Sequence, residues 1–125
     1  MGKRALVLFA HGARAASWAE PFERLRGMVQ ARTPGVHVAL AFLELMEPRL
    51  LELVEALVEG GTTAITVVPV FLGQGGHVLR DLPRIVEQMQ LEHPSVAFTL
   101  AGAVGEDPEV LKAMTDYCVG ALGTP

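Results

Sequence analysis

Four short apolar runs, the third of them the richest in β-branched residues, alternate with four helix-like segments along the chain. The runs cover residues 5–10, 36–43, 65–71 and 96–101. Parallel strands joined by helices form right-handed crossover units. The alternation therefore predicts an α/β fold with a four-stranded parallel sheet and helices on both faces. A flavodoxin-like strand order of 2-1-3-4 places the switch point between the first and third strands. The length of 125 residues fits a single domain, residues 1–125.

The first helix has two possible starts. Ser17 and Glu20 have the spacing of a capping box, with Ser17 as N-cap. Pro21 is awkward directly after it and suits the first helical position instead. With either start, the helix continues to about Arg32.

The other helices carry their own signals. Asp81 is the simplest N-cap for a third helix that extends from about Leu79 to Leu91. Asp107 and Pro108 predict the N-cap and first residue of the last helix. The second helix, opened by Glu47-Pro48, has a stripe of apolar residues that predicts one buried face: Leu50, Leu53, Val54, Leu57 and Val58.

Two further patterns concern the strands. Pro69 lacks an amide donor, which predicts an irregularity near the end of the third strand. Residues 34–51 also match residues 94–111 at an offset of 60, with six identities. The match reflects either duplication of one half of the fold or, in our preferred interpretation, the shared demands of a strand-to-helix turn.

Composition limits the class of protein. The net charge of −4 argues against a nucleic-acid-binding protein, which usually has a basic surplus. The chain contains no apolar run of about 18 residues and no signal-peptide cleavage pattern, so we expect a cytoplasmic protein without membrane spans. Cys118 is the single cysteine, and we expect a buried, inert thiol there. Four methionines are expected to fill the core: Met28, Met46, Met89 and Met114.

Three polar residues follow three successive strands. His11 comes directly after the first run, Glu44 after the second, and His77 after the third and a glycine-rich stretch. Glu44 lies 33 residues from each histidine. The carboxyl ends of parallel strands share one edge of the sheet, where ligands bind. Two imidazoles and a carboxylate at that edge are a suitable ligand set for a divalent metal ion.

Each of these residues also has a purely structural interpretation. A single histidine at a strand end is usually structural, and a glutamate there is usually just solvated. Glu44 has apolar neighbours, however, and an isolated carboxylate in such surroundings is more often paired or metal-bound. Trp18, just after the His11 loop, either lines a flat apolar ligand or anchors the start of the helix.

Two arginines accompany the histidines. Arg14 follows His11 closely and suits a carboxylate or phosphate ligand. Arg80 adds a second cation near His77, or is a solvated residue at the start of a helix.

The motifs together resemble those of the short, single-domain class II chelatases of the CbiX type, which act on sirohydrochlorin. Three stretches carry the resemblance: 10–14 (AHGAR), 41–48 (AFLELMEP) and 68–83 (VPVFLGQGGHVLRDLP). Relatives often have a serine at the position of Ala13, and an acidic residue and a proline soon after Arg14, where this chain has Ala15-Ala16-Ser17. That departure concerns contacts to the substrate more than the metal ligands.

The resemblance implies insertion of a divalent metal ion into a tetrapyrrole. It implies that His11, Glu44 and His77 are the metal-binding and catalytic residues and that Arg14 and Arg80 hold the peripheral carboxylates. By the same resemblance we expect the ion to be a co-substrate, Co²⁺ first and Fe²⁺ or Ni²⁺ next, and we expect no organic cofactor. Longer relatives contain two such domains, so the resemblance also implies a homodimer.

Two other functions are alternatives to metal insertion. Histidine phosphatases also have His-Gly after a first strand, but with an arginine where this chain has Ala10. A metal-binding or metal-delivery protein on the same scaffold, or an inactive relative, would bind metal without catalysing tetrapyrrole chemistry.

Overall fold

The computed structural model describes residues 2–73 and 76–123, with side chains described for residues 2–73 and 80–123. It has four strands: β1 (Lys3–Ala10), β2 (Val36–Phe42), β3 (Thr62–Pro69) and β4 (Ala97–Leu100). The four α-helices are α1 (Glu20–Arg32), α2 (Leu50–Glu59), α3 (Gly76–Glu92) and α4 (Pro108–Ala121). Two 3-10 helices, η1 (Ala16–Ala19) and η2 (Val104–Glu106), precede α1 and α4.

The four strands form one parallel sheet in the order β2-β1-β3-β4, as predicted. β1 is central, and its residue Leu8 pairs with Leu40 on one side and Val68 on the other. The irregularity predicted near Pro69 is wrong, because Pro69 pairs regularly with Phe9. The register shifts instead at the opposite end of the pair, between Lys3 and Arg4.

Helices cover the sheet unequally on its two faces. On one face, α2 and α3 pack over the buried side chains of Val7, Ile65 and Val67. On the other face, α1 packs over Leu8 and Leu40. These two clusters supply the burial that holds the edge of the sheet carrying the candidate site.

Matching clamps tie α1 to β2 and α3 to β4. The side-chain amide of Gln30 donates to the carbonyls of Thr33 and Val36, and its oxygen accepts from the amide of Val38. Gln90, 60 positions later, makes the same three hydrogen bonds, to the carbonyls of His93 and Val96 and from the amide of Phe98. The internal repeat therefore also includes Gln30 and Gln90. Each glutamine fixes the helix-to-strand turn in its own half of the fold.

Two of the three predicted N-caps are wrong. Ser17 lies inside η1, and α1 begins at Glu20 without a side-chain cap, one residue before the alternative start at Pro21. Asp81 lies inside α3, because that helix already begins at Gly76. Asp107 is confirmed, since its carboxylate accepts hydrogen bonds from the amides of Glu109 and Val110.

Several side chains expected in the core lie at the surface. Cys118 is exposed, which corrects the prediction of a buried thiol. Met28 is 69% exposed because it lies on the outer side of α1, and Met114 is also exposed, whereas Met89 is buried as predicted. Cys118 and Met114 share a cause, because no residue of α4 is buried.

No helix within the described ranges is long and apolar enough to span a membrane.

Candidate functional site at the carboxyl edge of the sheet

A tight turn places His11 at the end of β1. Gly12 follows it with φ of +94°, a conformation that favours glycine. A Cβ atom at Gly12 would lie 1.8 Å from the backbone oxygen of Glu44. The turn thus lets the backbone after His11 approach the backbone at Glu44 more closely than any side chain would permit.

Hydrogen bonds join the same two segments. The amide of Leu43 donates to the carbonyl of Ala10 at 2.9 Å, and the amide of Glu44 donates to the carbonyl of His11 at 3.1 Å. Leu45 then turns the chain away with φ of +65°. The side chains of His11 and Glu44 are both exposed, so both are available to a ligand at this edge.

Phe71, two residues past the end of β3, supports the imidazole of His11. The two ring centres are 5.0 Å apart, and Phe71 also lies 5.7 Å from Phe9. The carbonyl of Phe71 accepts a hydrogen bond from the amide of Gly105 in η2. Gly105 is buried, and a Cβ there would lie 1.9 Å from the oxygen of Leu72. η2 therefore holds the exit of β3 against the site.

An open groove of about 340 Å³ lies beside His11. It is lined by His11, Trp18, Val70, Phe71, Leu72 and Gly73. Trp18 stacks on Phe22 with 4.6 Å between ring centres and packs on the α1 face of the core. Trp18 thus packs at the start of α1, as one alternative predicted, and also lines an apolar groove, whereas its contact with a flat ligand stays a prediction.

The predicted arginines are exposed near this edge. Arg14 lies in the loop after β1, and Arg80 lies in the first part of α3. Neither side chain forms an ion pair or hydrogen bond with the residues that the structure describes. Among the residues that the structure describes, no partner therefore prevents either guanidinium group from binding an anion.

Arg49, a further arginine, was missed by the sequence analysis. It precedes α2 and lines a second, mostly apolar groove of about 490 Å³ together with Phe9, Phe42, Leu43, Leu50, Leu51, Glu52 and Ile85. The sequence did contain a signal for Arg49. It directly follows Glu47-Pro48, so it places a cation at the start of the helix that follows Glu44.

His77 is the second residue of α3, but its side chain is outside the described residues. Within the side chains that are described, no group of three His, Cys, Asp or Glu residues could hold a metal ion. The structure thus brings the segments of His11 and Glu44 together and places the backbone of His77 after β3. The three-residue ligand set stays a prediction.

His37, by contrast, is remote from this edge. It pairs with Ala5 near the start of β2, at the opposite end of the strands, and its side chain is exposed. This makes His37 a useful reference for His11.

Comparisons with known proteins agree on one family. The family model described as CbiX matches residues 5–118. A curated sirohydrochlorin cobaltochelatase from Methanocaldococcus jannaschii is 36% identical over 89 residues, covering 71% of this chain and 62% of the relative. A sirohydrochlorin ferrochelatase from Bacillus subtilis is 30% identical over 112 residues, covering 90% of this chain and 43% of the relative.

The fold is shared with solved structures as well. A CbiX protein from Marinobacter aquaeolei VT8 superposes with a TM-score of 0.80 at 34% identity, covering 95% of this chain and 97% of that one. In the two curated relatives named above, by contrast, the match spans less than two thirds of the relative's length, 62% and 43% respectively.

Proposed function

The chain belongs to the CbiX family, and from that premise we propose that it is a metal chelatase that inserts a divalent metal ion into sirohydrochlorin. The observation that carries this proposal is the junction of the His11 and Glu44 segments beside an apolar groove. Two potential metal ligands, His11 and Glu44, lie there beside an apolar surface. Metal insertion into a macrocycle requires both.

In this proposal the metal ion is a substrate, held by His11, Glu44 and His77. Three protein ligands leave a coordination position open, so the ion can pass to another set of nitrogen atoms. Such a site accepts Co²⁺, Fe²⁺ and Ni²⁺, and its selectivity depends on geometry and supply. We propose Co²⁺ as the first choice, with Fe²⁺ and Ni²⁺ as further substrates, and no organic cofactor.

The macrocycle is proposed to lie against Trp18 and Phe71, whose rings offer apolar area next to the imidazole of His11. Its rim carries carboxylates, and Arg14, Arg80 and Arg49 are the cations proposed to bind them. Binding energy at the rim can then be used to distort the ring so that its nitrogen lone pairs point at the metal ion.

The reaction exchanges one divalent ion for two pyrrole N–H protons. As the imidazoles of His11 and His77 release the ion to the macrocycle, the freed nitrogen of each can accept one of these two protons. Because His11 is exposed, it can pass that proton on to water. We assign proton transfer to the histidines, and charge compensation at the metal to Glu44.

We further propose a place in cobalamin or sirohaem biosynthesis, in the cytoplasm, with the protein acting as a homodimer. The Bacillus subtilis relative, of which the match covers 43%, supports the idea that a second copy supplies a second half.

An absorbance time course tests the chelatase proposal against metal delivery. Sirohydrochlorin is mixed with Co²⁺, then with Fe²⁺ or Ni²⁺, with and without the protein. Conversion of the free-base spectrum that is faster with protein supports the proposal and ranks the metals. Metal binding by calorimetry without any acceleration would contradict it and favour a binding or delivery protein.

A further inference from the structure

The exits of β1 and β3 lie side by side, and the register of these two strands brings Phe71 next to His11. Phe9 pairs with Pro69, and the amide of Val70 donates to the carbonyl of Phe9, so the pairing continues past the end of β3. Extending this register by two residues pairs His11 with Phe71. Paired residues of parallel strands project to the same face about 4.7–4.9 Å apart, and these two ring centres are 5.0 Å apart.

The ring of Phe71 restrains the imidazole of His11. Among residues 2–73 and 80–123, no hydrogen bond or ion pair reaches the imidazole nitrogens, and Phe71 is its one aromatic contact. Because His11 is exposed, its side chain would otherwise sample about three χ1 wells and about two χ2 orientations. The tilted contact, with 50° between the ring planes, restricts that choice.

Phe71 is itself held firmly by its surroundings. Its side chain is 7% exposed and packs against Phe9, with 5.7 Å between the ring centres. Its carbonyl accepts a hydrogen bond of 2.9 Å from the amide of Gly105. Gly105 also lies so close to Leu72 that a Cβ atom on the glycine would overlap the oxygen of Leu72. A ring with so little freedom can hold its neighbour in place.

The two halves of the fold share the backbone junction that contains these two rings. In the first half, the carbonyl of His11 accepts a hydrogen bond from the amide of Glu44, in the loop after β2. In the second half, the carbonyl of Phe71 accepts one from the amide of Gly105, in the loop after β4. Each junction also contains a glycine whose backbone approaches the other segment too closely for a side chain. The first junction carries potential metal ligands, whereas Phe71 and Gly105 offer no metal-binding side-chain atoms.

We propose that Phe71 is a positioning residue, which holds the imidazole of His11 in the orientation that receives the incoming metal ion. This role rests on the proposed function, in which His11 is a metal ligand. The second junction thereby supports the first, because it supplies a fixed aromatic ring where the first supplies a ligand.

The expected size of the effect follows from the orientations that the ring excludes. An imidazole that samples about six orientations equally spends about one sixth of its time in the one that binds the ion. The apparent dissociation constant rises in inverse proportion to the competent fraction, so loss of the ring should raise the value for Co²⁺ by up to about sixfold. Measuring Co²⁺ binding without sirohydrochlorin separates this effect from any contact between Phe71 and the macrocycle.

Phe71→Leu is compared with Phe98→Leu by calorimetric titration with Co²⁺. Phe98 is the matched control, because it packs on the same core cluster and also lies against an imidazole, that of His93, at 6.4 Å. We expect F71L to raise the dissociation constant by about three- to sixfold and F98L to bind as the wild type does. Phe71→Tyr keeps an aromatic ring and should retain the wild-type dissociation constant.

Nuclear magnetic resonance on the metal-free wild type keeps the proposal testable if F71L fails to fold. ¹³C relaxation of the imidazole groups compares His11 with His37, which is also exposed but has no aromatic contact among the described residues. His11→Ala and His37→Ala assign the two signals. The ring of His11 should be ordered, whereas that of His37 should reorient rapidly.

The outcomes separate the role of Phe71 from the chelatase proposal. A His11 ring as mobile as that of His37, equal Co²⁺ affinities of F71L and F98L, or equal weakening by F71L and F71Y would overturn the role of Phe71 alone. Co²⁺ binding by the wild type without faster insertion into sirohydrochlorin would contradict the chelatase proposal alone. A wild type that binds no Co²⁺ would overturn both.

Discussion

The amide of Glu44 donates a hydrogen bond of 3.1 Å to the carbonyl of His11, and this bond joins the ends of two neighbouring strands. Their side chains project from backbone segments that hydrogen bonds hold together. Gly12 completes the junction by bringing its backbone against the oxygen of Glu44. The site is therefore positioned by backbone contacts, which leaves both side chains exposed for chemistry.

Gly12→Ala should damage this junction. The added methyl group would overlap the oxygen of Glu44, and φ of +94° is costly for alanine. We expect the free energy of unfolding to fall by about 1–3 kcal/mol or more. Urea denaturation measures the change, with Gly27→Ala as control. Gly27 lies inside α1 with no atom near its missing Cβ, so G27A should be neutral or stabilising by about 0.5–1 kcal/mol. Equal effects of the two substitutions would contradict the proposed junction.

Gln30→Ala and Gln90→Ala should destabilise the protein by similar amounts. Each glutamine makes the same three part-buried hydrogen bonds to backbone groups. Loss of these bonds leaves backbone groups unpaired, at a cost of about 1–3 kcal/mol for each variant. Gln88→Ala, which removes only an exposed contact to Glu92, should stay within about 0.5 kcal/mol of the wild type in the same denaturation experiment. A large difference between Q30A and Q90A would show that the two clamps are not equivalent.

Trp18 should report binding of the macrocycle. It is the single tryptophan of the chain and lines the groove next to His11. Sirohydrochlorin bound in that groove would quench its fluorescence, and titration would yield a dissociation constant. Trp18→Phe keeps an aromatic ring on Phe22 and should fold, whereas Trp18→Ala should both weaken binding and lower stability. Unchanged emission at saturating sirohydrochlorin would place the macrocycle elsewhere.

The three arginines at the site should affect substrate binding more than turnover. Arg14→Gln, Arg80→Gln and Arg49→Gln each remove a cation proposed to bind a rim carboxylate. A charge-assisted bond contributes about 1.5–3 kcal/mol, so KM for sirohydrochlorin should rise by about tenfold or more with little change in kcat. Arg24→Gln is the control, because Arg24 is exposed on α1 away from the grooves. If R24Q raised KM as much as R14Q, the effect would reflect overall charge.

Much of the fold could be predicted because it depends on local patterns. Alternating apolar runs and helices determine the parallel sheet, and Asp107-Pro108 marks the start of α4 through capping alone. The capping box at Ser17 failed because Pro21 sits in the first turn of α1 and a 3-10 turn precedes it. The exposure of Cys118 could not be predicted, because the amphipathic pattern of α4 does not specify whether the rest of the chain covers its apolar face.

The candidate site was predicted only in part. The prediction that His11 and Glu44 lie at one edge succeeded, because neighbouring parallel strands have their carboxyl ends at the same edge of the sheet. The hydrogen bond between them and the contact at Gly12 depend on turn conformations, including φ of +65° at Leu45, that residue types do not specify. Arg49 was missed because its place in the second groove depends on how α2 packs against the sheet, and the sequence does not specify that packing.

The most direct test of the central claim compares His11→Ala with His37→Ala. Both substitutions remove an exposed imidazole next to or within a strand, but only His11 lies at the carboxyl edge beside Glu44. The measurement is the initial rate of Co²⁺ insertion into sirohydrochlorin, followed by absorbance, with both variants shown to be folded. We predict that H11A loses at least about 100-fold in rate, since it removes both a metal ligand and a proton acceptor, and that H37A keeps the wild-type rate. Equal rates for the two variants would contradict the placement of metal insertion at this edge of the sheet.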